Sequence, residues 1–133
     1  MTTLTPDLMY LALTAILTAT LWIPYVVAQV KTNGFLQPEN YVDPTARPLP
    51  AWGKRADRVY INAVETFAPY AALVVVAHLV DKAHGMTMVF IAAFFWLRLA
   101  HAVVYWFAVP YVRTLIFTLG WVSLVAIFFG VIR

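Results

Sequence analysis

Hydrophobic positions gather into four long runs along the chain. The first extends from about Leu8 to Val30 and holds no charged residue. The others extend from about Val59 to Val80, Met86 to Trp106 and Val112 to Ile132. Each is near the roughly 20 apolar residues that a helix needs to cross bilayer hydrocarbon. Backbone N–H and C=O groups cannot stay unpaired in lipid, so each run is expected to be a helix. The pattern predicts an all-α integral membrane protein: one domain over residues 1–133, a bundle of four transmembrane helices. No internal repeat is evident.

The breaks between the runs differ. The segment from residue 31 to about 57 holds four of the chain's eight prolines and two of its five glycines. It is expected to be a long loop with at most a short turn of helix. The second break is the short "DKAHG", residues 81–85, and the third is "AVPY", residues 108–111, where Pro110 ends the helix. Lys31, Arg47, Lys54, Arg55 and Arg58 all belong to the first loop or its edge, whereas the second loop has only Lys82. The positive-inside rule therefore puts the long loop in the cytoplasm and both termini on the opposite side, against the single vote of Arg133. Trp52, with Lys54 and Arg55 behind it, suits an anchor at an anionic leaflet.

Composition supports this picture. Hydrophobic residues make up 63% of the 133 positions and charged residues only 11%, against about 25% charged in soluble chains. There is no cysteine, which excludes a disulfide framework, a thiolate metal site and a cysteine nucleophile. The net charge of +3 is modest and lies in loops and at segment ends, so nucleic acid is not an expected partner. The first apolar run lacks a basic residue before it and a small-residue cleavage site after it, so it reads as a retained helix.

Against that background the polar residues inside the runs stand out. Arg58, Asn62 and Glu65 are spaced i, i+4, i+7 and form one helical stripe. Arg98, His101 and Tyr105 are spaced i, i+3, i+7 and form another, and Arg113 and Thr114 open the fourth run. With the long loop inside, all of them fall in the cytoplasmic half. A carboxylate within a span is costly, so Glu65 is expected to pair with an arginine or to help build a polar pocket. Arg98 and an arginine of a neighbouring chain are both candidates. The three histidines are not clustered and no carboxylate stands at ligand spacing from His101, so no metal site is expected. His78 and His84 lie at or near the second loop and are expected to be solvated.

The stretch "RADRVYINAVETFAP" resembles the second-helix signature of the MAPEG family, membrane-associated proteins in eicosanoid and glutathione metabolism. Arg58, Asn62, Glu65 and Pro69 match it, and the Glu-to-Pro spacing resembles the microsomal prostaglandin E synthase branch. The stretch "RLAHAVVYWFAVPYVR" resembles the third-helix end of the same branch, with Arg98, His101 and Tyr105 in register and Arg113 beyond it. The resemblance spans nearly the whole chain and suggests a bacterial-type, inner-membrane member. It implies a homotrimer with glutathione as co-substrate, bound between protomers near the cytoplasmic face. By family role, Arg58, Asn62, Glu65, Arg98, Tyr105 and Thr114 would bind glutathione, and Arg113 would stabilise its thiolate during attack on a lipophilic electrophile or hydroperoxide.

The chemistry of the residues agrees. Glutathione carries two carboxylates and an ammonium, for which arginine forks and a glutamate are suited. A thiol becomes nucleophilic when ionised, and a nearby fixed cation favours that. The chain departs from the characterised branches at Tyr60, usually Gln or His, and at Phe117, usually Tyr. It also has no basic residue between Tyr105 and Arg113. Each polar residue has a second reading. Glu65 and Asn62 would serve equally as a buried packing network. Arg98 and His101 would serve as partners for Glu65 and for a neighbouring helix. Arg113 would serve as an interfacial anchor, and Tyr105 as part of an aromatic belt with Trp106 and Tyr111. Two functional classes stay open: a glutathione-dependent membrane enzyme acting on lipophilic substrates, and a non-catalytic scaffold or accessory subunit of a larger membrane complex.

Overall fold

A computed structural model of the chain describes residues 3–34 and 48–133. It contains α1 (Pro6–Thr20), α2 (Trp22–Asn33), α3 (Ala51–Leu79), α4 (Gly85–Trp106) and α5 (Val112–Ile132), and no strand among the described residues. The segment 6–33 taken together, and each of the other three helices, are long and apolar enough to cross a membrane. Residues 35–47 of the predicted long loop, Arg47 among them, lie outside the described residues.

The first apolar run is two helices in series. Pro24 has no N–H to donate to the Thr20 carbonyl, and its ring crowds that carbonyl. The ladder is interrupted just there, with Leu21 forming the junction. The Leu21 N–H bridges the gap by reaching both Leu17 O, at 3.1 Å, and Thr18 O, at 3.4 Å. The third helix starts at Ala51, ahead of the apolar run that begins at Val59. Pro50 precedes it in extended conformation, so the basic residues Lys54, Arg55 and Arg58 ride on a helix rather than a loop. The Arg55 Nε–H donates to Trp106 O at 3.3 Å, tying the start of α3 to the end of α4.

Pro69 sits inside α3 without ending it. It denies the Glu65 carbonyl its helical donor, and both residues are exposed. The turns that follow use left-handed backbone. Gly85 has φ 57°, where a glycine carries no Cβ penalty, and the α4–α5 turn places Ala108 and Tyr111 at φ 57° and 65°.

The most intimate helix pair is α4 with α5, and glycine makes it so. A Cβ on Gly120 would stand 2.6 Å from Arg98 Nη2, and one on Gly130 would collide with the Thr87 hydroxyl. The main core joins Tyr70 and Val74 of α3 to Ile91 and Phe94 of α4 and Ile127 of α5. The rings of Tyr70 and Phe94 stack at 4.2 Å, and the Tyr70 hydroxyl donates to Ile91 O at 3.0 Å. A smaller cluster of Leu21, Val59, Ala63 and Ala102 sits nearer the other end, with Tyr60, Tyr105 and Trp106 against it. His78 is exposed, in line with the solvated position the sequence suggested, and it is also bonded. Its Nδ1 meets the buried Asp7 Oδ2 at 2.9 Å and links α1 to the end of α3.

Candidate functional site

Three helices converge on one cleft of about 290 Å³, lined by Asn62, His101, Tyr105, Arg113, Thr114 and Phe117. Asn62 comes from α3, His101 and Tyr105 from α4, and the other three from the first two turns of α5. The Arg113 guanidinium lies 5.0 Å from the centre of the Tyr105 ring, within cation–π range. This contact holds the cation over the cleft although Arg113 is exposed.

The start of α5 adds donors. The Val112 N–H reaches Pro110 O at 2.7 Å and the Leu115 N–H reaches Tyr111 O at 3.1 Å. The N–H groups of Arg113 and Thr114 lie between them and have no acceptor among the described residues. No side chain among the described residues caps the helix. Two free N–H groups, a hydroxyl and a guanidinium therefore stand at a helix N-terminus, an arrangement that favours an anion.

His101 belongs to this cleft rather than to a hydrogen bond between helices. It is buried, and its ring lies 5.6 Å from Tyr105 and 5.8 Å from Phe117. Phe117, which the sequence marked only as a departure from the family's tyrosine, also lines the cleft. Periodicity held the signal for both: His101 precedes Tyr105 by four residues and Phe117 follows Arg113 by four, which places each pair on one helical face.

Arg98 stands behind the cleft, not in its wall. It is 4% exposed, with its Cζ 5.3 Å from the rings of both Phe94 and Phe117. Among the described residues, Nε and Nη1 have no hydrogen-bond partner. The expected pairing with Glu65 does not form within the protomer. Helical geometry accounts for this. At about 100° per residue, Arg58 and Glu65 fall roughly 40° and 60° to the same side of Asn62. Asn62 faces the cleft, so the other two turn outward, and both are exposed. The structure thus gathers Asn62, Tyr105, Arg113 and Thr114, and leaves Arg58 and Glu65 on the outer face of α3 with Arg98 enclosed.

The sequence profile of the MAPEG family matches residues 8–133. No curated protein and no solved structure matches the chain.

Proposed function

The chain belongs to the MAPEG family, and from that premise we propose that it is a glutathione-dependent membrane transferase or peroxidase-like protein. The family makes it an integral, multi-pass membrane protein related to glutathione chemistry. The observation that carries the finer reading is the convergence of Arg113, Thr114 and two free N–H groups with Tyr105 and Asn62 on one cleft. Such a cleft suits a thiolate. The Arg113 cation and the α5 N-terminus favour the ionised sulfur, and the Thr114 hydroxyl offers a further donor. The thiol proton leaves to water at the cleft mouth. The sulfur then attacks an electrophilic carbon and expels its leaving group, or attacks a peroxide oxygen and breaks the O–O bond. Lipophilic substrates reach the cleft from the bilayer, past the Phe117 ring.

Arg58 and Glu65 have a place in this reading. On the outer face of α3 they would meet the cleft of a neighbouring copy in a homotrimer. There Arg58 would take a glutathione carboxylate, and the Glu65 carboxylate, with its Pro69-freed carbonyl, the ammonium. Arg98 adds positive potential from behind. The long loop would face the cytoplasm, with the termini opposite, in a bacterial-type member near the microsomal prostaglandin E synthase branch.

A second reading, a non-catalytic scaffold or accessory subunit, draws support from Phe117. Its ring occupies the cleft wall beside Arg113 and caps the buried Arg98. Calorimetry with glutathione on the detergent-purified protein, read beside ultraviolet thiolate absorbance, separates the two. Binding with an ionised thiol, lost in Arg113→Ala, supports the enzyme. No binding at millimolar glutathione leaves the scaffold.

A further inference from the structure

The two short turns of the bundle are opposites. The α3–α4 turn carries Asp81, Lys82 and His84. The α4–α5 turn reads Phe107, Ala108, Val109, Pro110, Tyr111, and the Tyr111 hydroxyl is its only polar side-chain group. Every residue from 107 to 115 is exposed, with Phe107 at 76% and Tyr111 at 87%. Val112 and Leu115 continue the patch onto the first turn of α5. An exposed apolar patch that is contiguous marks a contact surface.

Topology places this patch. Both α4 and α5 are long and apolar enough to cross a membrane, so the turn between them emerges at one face of the bilayer. The 22 residues of α4 make it about 33 Å long, against roughly 30 Å of hydrocarbon. It leaves the charged α3–α4 turn at Gly85, so Trp106 arrives at the opposite boundary and not far beyond it. The main chain of the turn suits that depth. The N–H groups of Phe107, Ala108, Val109 and Val112 donate to Val103 O at 3.2 Å, Tyr105 O at 3.0 Å, Val104 O at 3.2 Å and Pro110 O at 2.7 Å. Pro110 has no N–H to satisfy. Lipid tolerates little unpaired backbone, and in this turn only the Tyr111 N–H lacks an acceptor among the described residues. The bond from Arg55 Nε–H to Trp106 O ties the base of the turn to α3.

We propose that the α4–α5 turn is a membrane-docking wedge, in which Phe107 and Tyr111 insert among the lipid head groups. Aromatic rings favour that layer, and the Tyr111 hydroxyl keeps a wet end. Arg113 and Thr114 follow Tyr111 by two and three residues, within about 5 Å along the helix axis. The cleft mouth therefore opens at head-group depth. One consequence rests on the proposed function: a thiol reaches the mouth from water, and a lipid-dissolved substrate reaches it from the side.

The test is collision electron paramagnetic resonance on the full chain in phosphatidylcholine vesicles. No glutathione is present, so the result stands apart from the thiol reading. The chain has no cysteine, and a nitroxide is attached to Val109→Cys in the wedge or to His84→Cys in the charged turn. Oxygen, which concentrates in lipid, is compared with a water-soluble nickel chelate, and lipids bearing a nitroxide at known chain positions calibrate depth. The position-109 nitroxide is expected at or below the phosphate level, with a higher oxygen-to-nickel collision ratio than the position-84 nitroxide. In a Phe107→Ser/Tyr111→Ser background, whose changes are at exposed positions, the position-109 nitroxide shifts towards water and the position-84 nitroxide does not move. Nickel access at position 109 equal to that at position 84 overturns the proposal, because the turn then stands in water. Low collision with both reagents also overturns it, because protein then covers the turn. So does an unchanged depth in the double-serine background, because the two rings then do not hold the turn in the bilayer.

Discussion

At the residue scale, Arg113 and Arg98 are two arginines in opposite circumstances. Arg113 is exposed over Tyr105 and has donors beside it. On the proposed function, Arg113→Ala would remove a charge-assisted contact to glutathione worth about 1.5–3 kcal/mol, so the affinity read by calorimetry is expected to fall roughly ten- to a hundredfold. Arg113→Lys keeps the charge but loses the planar stacking on Tyr105, and recovers only part of it. Arg98 is enclosed with no counter-charge beside it among the described residues, and Gly120 is what makes room for it. Gly120→Ala overpacks that contact and lowers thermal stability by about 1–3 kcal/mol. In an Arg98→Met background the same glycine change costs much less, because the Nη2 it strikes is gone. A double-mutant cycle of melting temperatures measures that coupling. The sequence showed that Arg98 shares a stripe with His101 and Tyr105. It did not show the role of Gly120, because depth in a helix interface depends on which neighbouring helix offers a gap.

At the scale of elements, prolines decide more than hydrophobicity. The four apolar runs were readable because their length and lack of charge leave few alternatives to a helix. Their ends were not, because apolarity marks where lipid begins and not where the backbone ladder stops. Thus α3 runs back to Ala51 through Lys54 and Arg55, which no hydropathy pattern includes. Pro24 splits the first run, whereas Pro69 is carried within α3. Pro69→Ala tests the second case. It restores an N–H for the Glu65 carbonyl, and proline in a helix interior costs up to about 3 kcal/mol. The melting temperature of the purified protein therefore rises. If the freed carbonyl helps to seat the ammonium, glutathione affinity falls in the same variant, so stability and binding move in opposite directions. Tyr70→Phe is a milder change at the α3–α4 seam. It removes the bond to Ile91 O and costs about 0.5–1.5 kcal/mol.

At the scale of the whole molecule, the polar groups sort by end. Asn62, Arg113 and Thr114 meet at one end of the bundle, and Asp7, His78, Lys82 and Arg133 at the other. The proposed orientation places the first group on the cytoplasmic side, because the basic residues 54, 55 and 58 cluster next to it. The absence of cysteine makes this directly measurable, since any introduced thiol is the sole target of a maleimide. Lys54→Cys lies on an exposed face of the first turn of α3, and His84→Cys is exposed at the opposite end. In intact spheroplasts, a membrane-impermeant maleimide is expected to label the position-84 thiol and to reach the position-54 thiol only after lysis. The reverse pattern would turn the molecule over. The thiol cleft would then open away from the cytoplasm, where reduced glutathione is scarce, and the catalytic reading would lose its co-substrate while the fold stayed as it is.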